Sequence, residues 1–372
     1  MKKILFVSCE ASGDLHGANI VQELKNGAAA LSYFAVGSDK LREAGAEIIY
    51  DAKKLSVMGL TEVITKIPTF LCLFKKLSKV INEKEIDLVV LIDSPDFNLR
   101  LARRIKKVNP KIKLIYYISP TIWAWRYNRI KIIKKYIDKM LVILPFEENI
   151  YRKENIKASF VGHPLIHEID QVSEKPKGLD KNKEDFQIAI VPGSRFFEVK
   201  KLSGTIVRAC RIIKNKLPQA KFVVSRAPTI DELSLKKFFP EELFTITSEK
   251  SFNLFRKSDC AIVKSGTSTL EAGLMSLPMV IIYRFSFLSY FIGKYIIRIK
   301  KQMFGLVNIL SGKLIVKELF QREVTATAIA SEILKILSDK EYYELMSREL
   351  FEVKNSLQSN KTDVAKEILK LL

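Results

Sequence analysis

The sequence predicts an α/β protein made of two doubly wound halves, each a largely parallel sheet between layers of helices. Three observations carry this. Short continuous apolar runs such as Leu88-Val89-Val90-Leu91-Ile92 recur, as strands covered on both faces require. They alternate with amphipathic stretches, the pattern of β-α-β crossovers. A chain of 372 residues is also longer than one hydrophobic core usually serves.

The elements follow in order. Met1-Lys2-Lys3 leads into an apolar stretch that is too short for a secretory leader and is met at once by Glu10 and Asp14, so Lys3–Ser8 reads as a first strand. Further strands are expected at Leu88–Ile92, Lys113–Ile118, Met140–Leu144 and Ser159–Val161. In the second half they are expected at Gln187–Val191, Lys221–Ser225, Asp259–Val263 and Met279–Tyr283. Between these sets the chain turns polar, with Pro176, Gly178 and a charged run from Asp180 to Asp185. That composition marks 166–186 as a linker between a domain 1–165 and a domain 187–345. From Asp339 the pattern is helical to the end.

Composition narrows the function. Hydrophobic residues at 48% and charged residues at 28% describe a globular chain. Cys9, Cys72, Cys210 and Cys260 form no C-x-x-C pair, and His16, His163 and His167 have no ligand spacing, so neither a zinc site nor a disulfide framework is expected. No D-x-D pair occurs, which points to chemistry without a metal or other cofactor. No run of about 18 apolar residues is present to span a bilayer, and a cytoplasmic protein is expected. The net charge of +21 calls for an anionic partner. The cations are scattered and border apolar helices, with no recognisable nucleic-acid module, so no nucleic acid is expected. An anionic membrane surface fits better. Thr61–Glu83 carries an apolar stripe including Ile67, Phe70, Leu73 and Phe74, flanked by Lys75 and Lys76, and Tyr283–Phe304 is similar. Broad apolar faces bounded by cations suit the headgroup boundary, and those six residues are the expected membrane contact.

Four turns carry candidate chemistry. Cys9 to Gly17 follows the first strand, and Ser12 and Gly13 let backbone approach a ligand beside a helix start. Gly193-Ser194-Arg195 follows another strand, with amide groups for a phosphate and a permanent guanidinium charge. Ser265-Gly266-Thr267 opens a helix that holds Glu271 one turn in, which suits a diphosphate with the carboxylate reaching ribose hydroxyls. Asp93 stands at the carboxyl end of a buried strand, where ligands of open α/β sheets lie and where a carboxylate suits a general base. Asp96 reads as the N-cap of the next helix, and Asn98 carries no assigned role.

These motifs, with Val57-Met58-Gly59-Leu60, Ser119-Pro120-Thr121-Ile122-Trp123-Ala124-Trp125-Arg126, Leu144-Pro145-Phe146-Glu147, Val161-Gly162-His163-Pro164, Pro278-Met279-Val280 and Leu306-Val307-Asn308-Ile309-Leu310, run in the order of the lipid-A-disaccharide synthase family. The chain resembles that family over essentially its whole length. Cys9 stands where glycine is common and Ser94 where alanine is usual. The resemblance implies a GT-B fold, two Rossmann-like domains facing a central cleft, with a C-terminal helix over 346–372 returning to the first domain. It implies transfer of 2,3-diacylglucosamine from UDP-2,3-diacylglucosamine to the 6-hydroxyl of 2,3-diacylglucosamine 1-phosphate, with inversion to a β linkage. Asp93 and Arg195 would then be catalytic. Gly193, Ser194, Arg195, Ser265, Gly266, Thr267, Glu271 and Asn308 would form the donor side, and Ser12 and Gly13 the acceptor side. Peripheral attachment to the inner face of the inner membrane is implied, and the family leaves room for a homodimer. The alternative is another UDP-N-acetylglucosamine-using GT-B enzyme, such as the peptidoglycan N-acetylglucosaminyl transferase or an epimerase. The Trp123–Arg126 run and the Asp93 motif argue against it.

Overall fold

The computed structural model describes residues 1–27, 30–55, 67–166, 176–180, 182, 185–284, 303–358 and 362–372, and for 67–71 the backbone alone. The chain forms two compact units, Met1–Pro164 with Ser359–Leu372, and Leu165–Gln358.

The first unit is built on a seven-stranded parallel sheet. Its strands are β1 (Lys2–Ser8), β2 (Leu31–Gly37), β3 (Glu47–Asp51), β4 (Leu88–Ile92), β5 (Lys113–Tyr117), β6 (Lys139–Val142) and β7 (Ala158–Phe160), in the order β3-β2-β1-β4-β5-β6-β7. All five residues of β4 are buried, as the unbroken apolar run requires of a strand with helices on both faces. The order reverses between β1 and β4, whose carboxyl ends carry the Cys9 turn and Asp93. The second unit has six parallel strands: β8 (Gln187–Val191), β9 (Lys221–Ser225), β10 (Phe244–Thr247), β11 (Cys260–Lys264), β12 (Met279–Tyr283) and β13 (Lys317–Phe320). Their order is β10-β9-β8-β11-β12-β13, and the reversal lies between β8 and β11. Ligands of open α/β sheets bind outside the carboxyl ends at such reversals, so topology alone nominates two sites.

Beyond the four strands not expected from the sequence, β2, β3, β10 and β13, the described residues depart from expectation in three places. The segment expected to be a plain linker is pinned to the second unit where it is described. Lys177 donates its Nζ to the carbonyls of Phe255 (2.8 Å) and Arg256 (3.1 Å), capping the helix Ser251–Lys257, and its amide bonds Ser347 Oγ at 2.8 Å. The tail divides later than 346. The helix Lys340–Gln358 stays on the second unit, with Tyr343 donating to the Asp259 carbonyl and Ser347 to that of Ser276, both at 2.9 Å. Only the helix Val364–Leu369 belongs to the first unit, where Glu367 accepts from Lys139 (2.8 Å) and Ser159 (3.0 Å). Burial alone would raise the Glu367 carboxyl, but these bonds and Lys370 hold it down to about 2.

The third departure concerns the expected membrane stripe. In the helix Ile67–Glu83, Leu73 is 1% and Phe74 7% exposed, and Leu77 and Ile81 are buried with them. Phe74 packs on Phe97 with ring centroids 4.9 Å apart. The stripe from Leu73 onward is therefore core of the first unit, and Leu73 and Phe74 are not membrane contacts. Lys75 and Lys76 are exposed, with Lys76 donating to the Ile49 carbonyl. The side chains of Ile67 and Phe70, and residues 285–302 of the second stripe, lie outside the described residues. Among the described residues no helix is long and apolar enough to cross a membrane.

Candidate active site

At the strand-order reversal of the second unit lies a cavity of about 530 Å³. Two turns form its floor. After β8 come Gly193 and Ser194, leading into the helix Phe196–Lys216; after β11 come Ser265, Gly266 and Thr267, leading into the helix Thr267–Leu274. Helix N-termini present unpaired N–H groups and positive dipole ends, so two aimed at one cavity make an anion site. Gly193 adopts φ +114°, and an added Cβ would stand 2.8 Å from Glu198 Oε2. Only glycine fits that turn without strain. Glu271 lines the same cavity one turn into its helix.

The walls add residues that pattern reading missed. Lys264 ends β11 and lines the cavity, its Nζ 2.8 Å from Glu198 Oε1 and 5.1 Å over the Tyr283 ring. Arg226 follows β9, with Nε and a terminal nitrogen 3.0 and 2.8 Å from Ser248 Oγ. Ser248, Lys250 and Phe252 complete the far wall. The lysine at the end of a strand was the signal available in the sequence; the convergence of the turns after β9 and β10 had none. Arg195 follows Ser194 directly but is not in the wall: its side chain is 81% exposed and 3.8 Å from Glu198. Asn308 is not in the wall either. It is fully buried, its Nδ2 donating to the Val316 carbonyl (2.8 Å) and Glu318 Oε1 (2.7 Å), its Oδ1 accepting from the amides of Ile315 and Val316. With both ends of its amide used, Asn308 clamps the chain between 308 and 318 and has no donor group left for a nucleotide.

At the reversal of the first unit the backbone does something different. Asp93 and Ser94 both lie in the left-handed region, at φ +46° and +44°. Each such residue costs of order 1–3 kcal/mol unless its surroundings hold it, and such strain gathers at functional positions. Here the hold is explicit. The Asp93 amide bonds the Tyr117 carbonyl at 3.0 Å, and the Asp93 carbonyl accepts from Tyr116 Oη at 2.6 Å and Asn98 Nδ2 at 2.8 Å. Asn98 also donates to the Ile92 carbonyl, so the residue without an assigned role is the clasp of this turn. Burial, and secondarily the charge of Glu10, raises the Asp93 carboxyl above its ordinary range, as suits a base that must hold a proton in passing.

Of the neighbouring expectations, Ser12 is exposed, while Gly13 is a packing glycine: its Cβ would meet Ser8 Oγ at 2.7 Å. Asp14 is taken up structurally, accepting from the amides of Ser38 and Lys40. Asp96 is not an N-cap, a place held by Ser94; its Oδ1 receives Arg126 at 2.9 Å and Arg129 at 2.6 Å.

Comparison with known proteins then bears on this geometry. A family model described as lipid-A-disaccharide synthetase matches residues 4–369. The lipid-A-disaccharide synthase of Anaeromyxobacter dehalogenans is 41% identical over 95% of this chain and 93% of its own length. That of Myxococcus xanthus is 37% identical over 100% and 97%. Among solved structures, the UDP-GlcNAc 2-epimerase from Neisseria meningitidis bound to UDP-GlcNAc superposes with a TM-score of 0.64 at 14% identity, covering 100% of both chains. The calicheamicin glycosyltransferase CalG4 gives 0.59 at 14%, covering 100% and 98%. Identities this low speak to fold, and the fold they share with this chain is GT-B.

Proposed function

Because the chain belongs to the lipid-A-disaccharide synthase family of glycosyltransferases, we propose that it transfers 2,3-diacylglucosamine from its UDP derivative to the 6-hydroxyl of 2,3-diacylglucosamine 1-phosphate, inverting the anomeric carbon. One observation supports the donor half above the rest: two helix N-termini and the side chains of Lys264 and Arg226 converge on one cavity of nucleotide-diphosphate size.

UDP occupies that cavity with its diphosphate on Gly193-Ser194 and Ser265-Gly266-Thr267, its ribose hydroxyls toward Glu271 and its base toward Phe252 and Ser248. As the glycosidic bond breaks, charge develops on the β-phosphate. Backbone N–H groups and Lys264 and Arg226 stabilise it, with Arg195, exposed beside the Gly193-Ser194 turn, adding a guanidinium. Four such sources of positive potential leave no need for a divalent ion, so the reaction runs without cofactor. Asp93 takes the proton from the acceptor 6-hydroxyl as that oxygen attacks the face opposite the leaving group.

Peripheral contact with the inner leaflet belongs to the same reading. It is supported by the net charge of +21, by exposed Lys75 and Lys76, and by Phe197, 82% exposed between Arg195 and Lys200. Each basic residue near an anionic surface adds about 1 kcal/mol. The test is UDP release with acylated and non-acylated UDP-glucosamine donors, in mixed micelles and on anionic vesicles. Turnover confined to the acylated donor agrees; preference for UDP-N-acetylglucosamine would return the chain to the peptidoglycan-type alternative.

A further inference from the structure

The donor cavity and Asp93 leave one built cluster of the first unit unused. The loop after β5 presents Trp125, 45% exposed, with the Arg126 guanidinium stacked 4.2 Å over its ring and that of Arg129 at 5.6 Å. Both arginines converge on a single oxygen, Asp96 Oδ1. Arg126 is itself a non-glycine residue at φ +56°.

The loop is anchored from beneath with buried polar groups. Trp123 donates its indole N–H to buried Glu147 at 3.1 Å and stands edge-on to Phe146, and Ser119 meets Tyr151 Oη at 2.7 Å. Burial pushes the Glu147 carboxyl up to about 7 in spite of these bonds. A surface turn that served only as a connection would not require an enclosed carboxylate to fix it.

We infer that Arg126 and Arg129 form the recognition site for the phosphate monoester of the sugar acceptor, with Trp125 as the positioning residue that holds the Arg126 fork. The inference rests on the transferase reading above. A guanidinium offers five N–H donors in a planar fork that matches phosphate oxygens two at a time. Asp96 engages one nitrogen of each arginine, which aligns the pair; the Arg126 side chain is 49% exposed and presents its remaining donors, while Arg129, at 12%, offers only the edge of its guanidinium. The location also fits the chemistry. Asp93 follows β4 and this loop follows β5, and the two strands are paired up to Ile92 and Tyr117. The acceptor phosphate and the base that activates its hydroxyl would thus be read at the carboxyl ends of adjacent strands.

A phospholipid headgroup carries the same phosphate chemistry, so the experiment separates the two sources. The full chain is assayed in detergent micelles with diacylglucosamine 1-phosphate and with its dephosphorylated counterpart, for the wild type, Arg126→Gln, Arg126→Lys and Arg129→Gln. Vesicles of phosphatidylglycerol are titrated in parallel. Losing a charge-assisted pair of bonds should lower kcat/KM on the phosphorylated acceptor roughly ten- to a hundredfold in Arg126→Gln, mainly through KM. Arg129→Gln should follow it. Activity on the dephosphorylated acceptor should stay within about twofold of wild type, because the lost donors had no partner there. Arg126→Lys, which keeps charge but not the fork, should recover only part of the loss. Equal loss on both acceptors would mean a structural role and overturns the inference. So does a wild type that uses both acceptors equally, an outcome that leaves the transferase reading standing. Unchanged kinetics with weakened vesicle binding would assign the cluster to headgroups and overturn it as well.

Discussion

The turns that follow the central strands of the two sheets occupy equivalent places in the topology and are made in opposite ways. After β4, Asp93 and Ser94 are forced into left-handed backbone without a glycine, and Tyr116, Tyr117 and Asn98 tie that backbone down. After β8 and β11, Gly193 and Gly266 keep side chains out of the way of a cavity that Lys264, held by Glu198, and Arg226, held by Ser248, also line. The first turn fixes one carboxylate; the second clears room for a charged ligand. Under the proposed function, the same position in an open sheet serves a proton in one unit and a phosphate in the other, according to where rigidity is placed.

That contrast can be broken by substitution. The largest effect is expected from Asp93→Asn, which preserves shape and removes the proposed base: kcat should fall roughly 10²–10⁴-fold, with UDP affinity by calorimetry within twofold of wild type. Near-normal turnover would end the assignment of Asp93. Phe74→Ser tests the packing beneath the first turn. Its ring is buried against Phe97, so chemical denaturation should show a loss of roughly 3–5 kcal/mol. A fully stable variant with weakened vesicle binding would restore the membrane reading of that helix.

Asn98→Ala removes both bonds to the Ile92 and Asp93 carbonyls. It should cost about 1–3 kcal/mol of stability and lower kcat more than KM, since it displaces the base and no binding group. A subtler effect is expected in the pH profile. Burial first, and Glu10 second, raise the Asp93 carboxyl. A base works only when ionised, so activity is present above that raised pKa and lost as pH falls through it. The acid limb of kcat/KM should therefore lie above the ordinary carboxylate range, and Glu10→Gln should move it to lower pH. An unmoved limb would assign it to another group. Least of all should change with excess EDTA, because the second turn carries its own cations. Activity lost on chelation and restored by magnesium would contradict that.

Central strands such as β4 and β8 were legible because burial on both faces demands unbroken apolar runs. β3, β10 and β13 are edge strands of four or five residues with half-exposed faces, and Glu47, Thr245 and Lys317 dilute their pattern. Interior β2 was lost differently: Ser32 interrupts its start and Gly37 its end, leaving too short a signal. The site divided in the same way. Glycine-hydroxyl turns after strands are local, so Gly193, Ser194, Ser265, Gly266, Thr267 and Glu271 could be read in advance. Arg226 follows β9, whereas Ser248 and Phe252 follow β10, and the two segments meet only in the fold. Periodicity likewise showed that the helix Ile67–Glu83 has an apolar face, but not that Phe97 covers it.

The division of labour between the two turns is tested most directly by a crystal structure with UDP bound. The diphosphate is expected on the amides of Gly193-Ser194 and Gly266-Thr267, with Lys264 and Arg226 within reach and the ribose beside Glu271. A diphosphate seated instead on the Cys9–Asp14 turn of the first unit would contradict it.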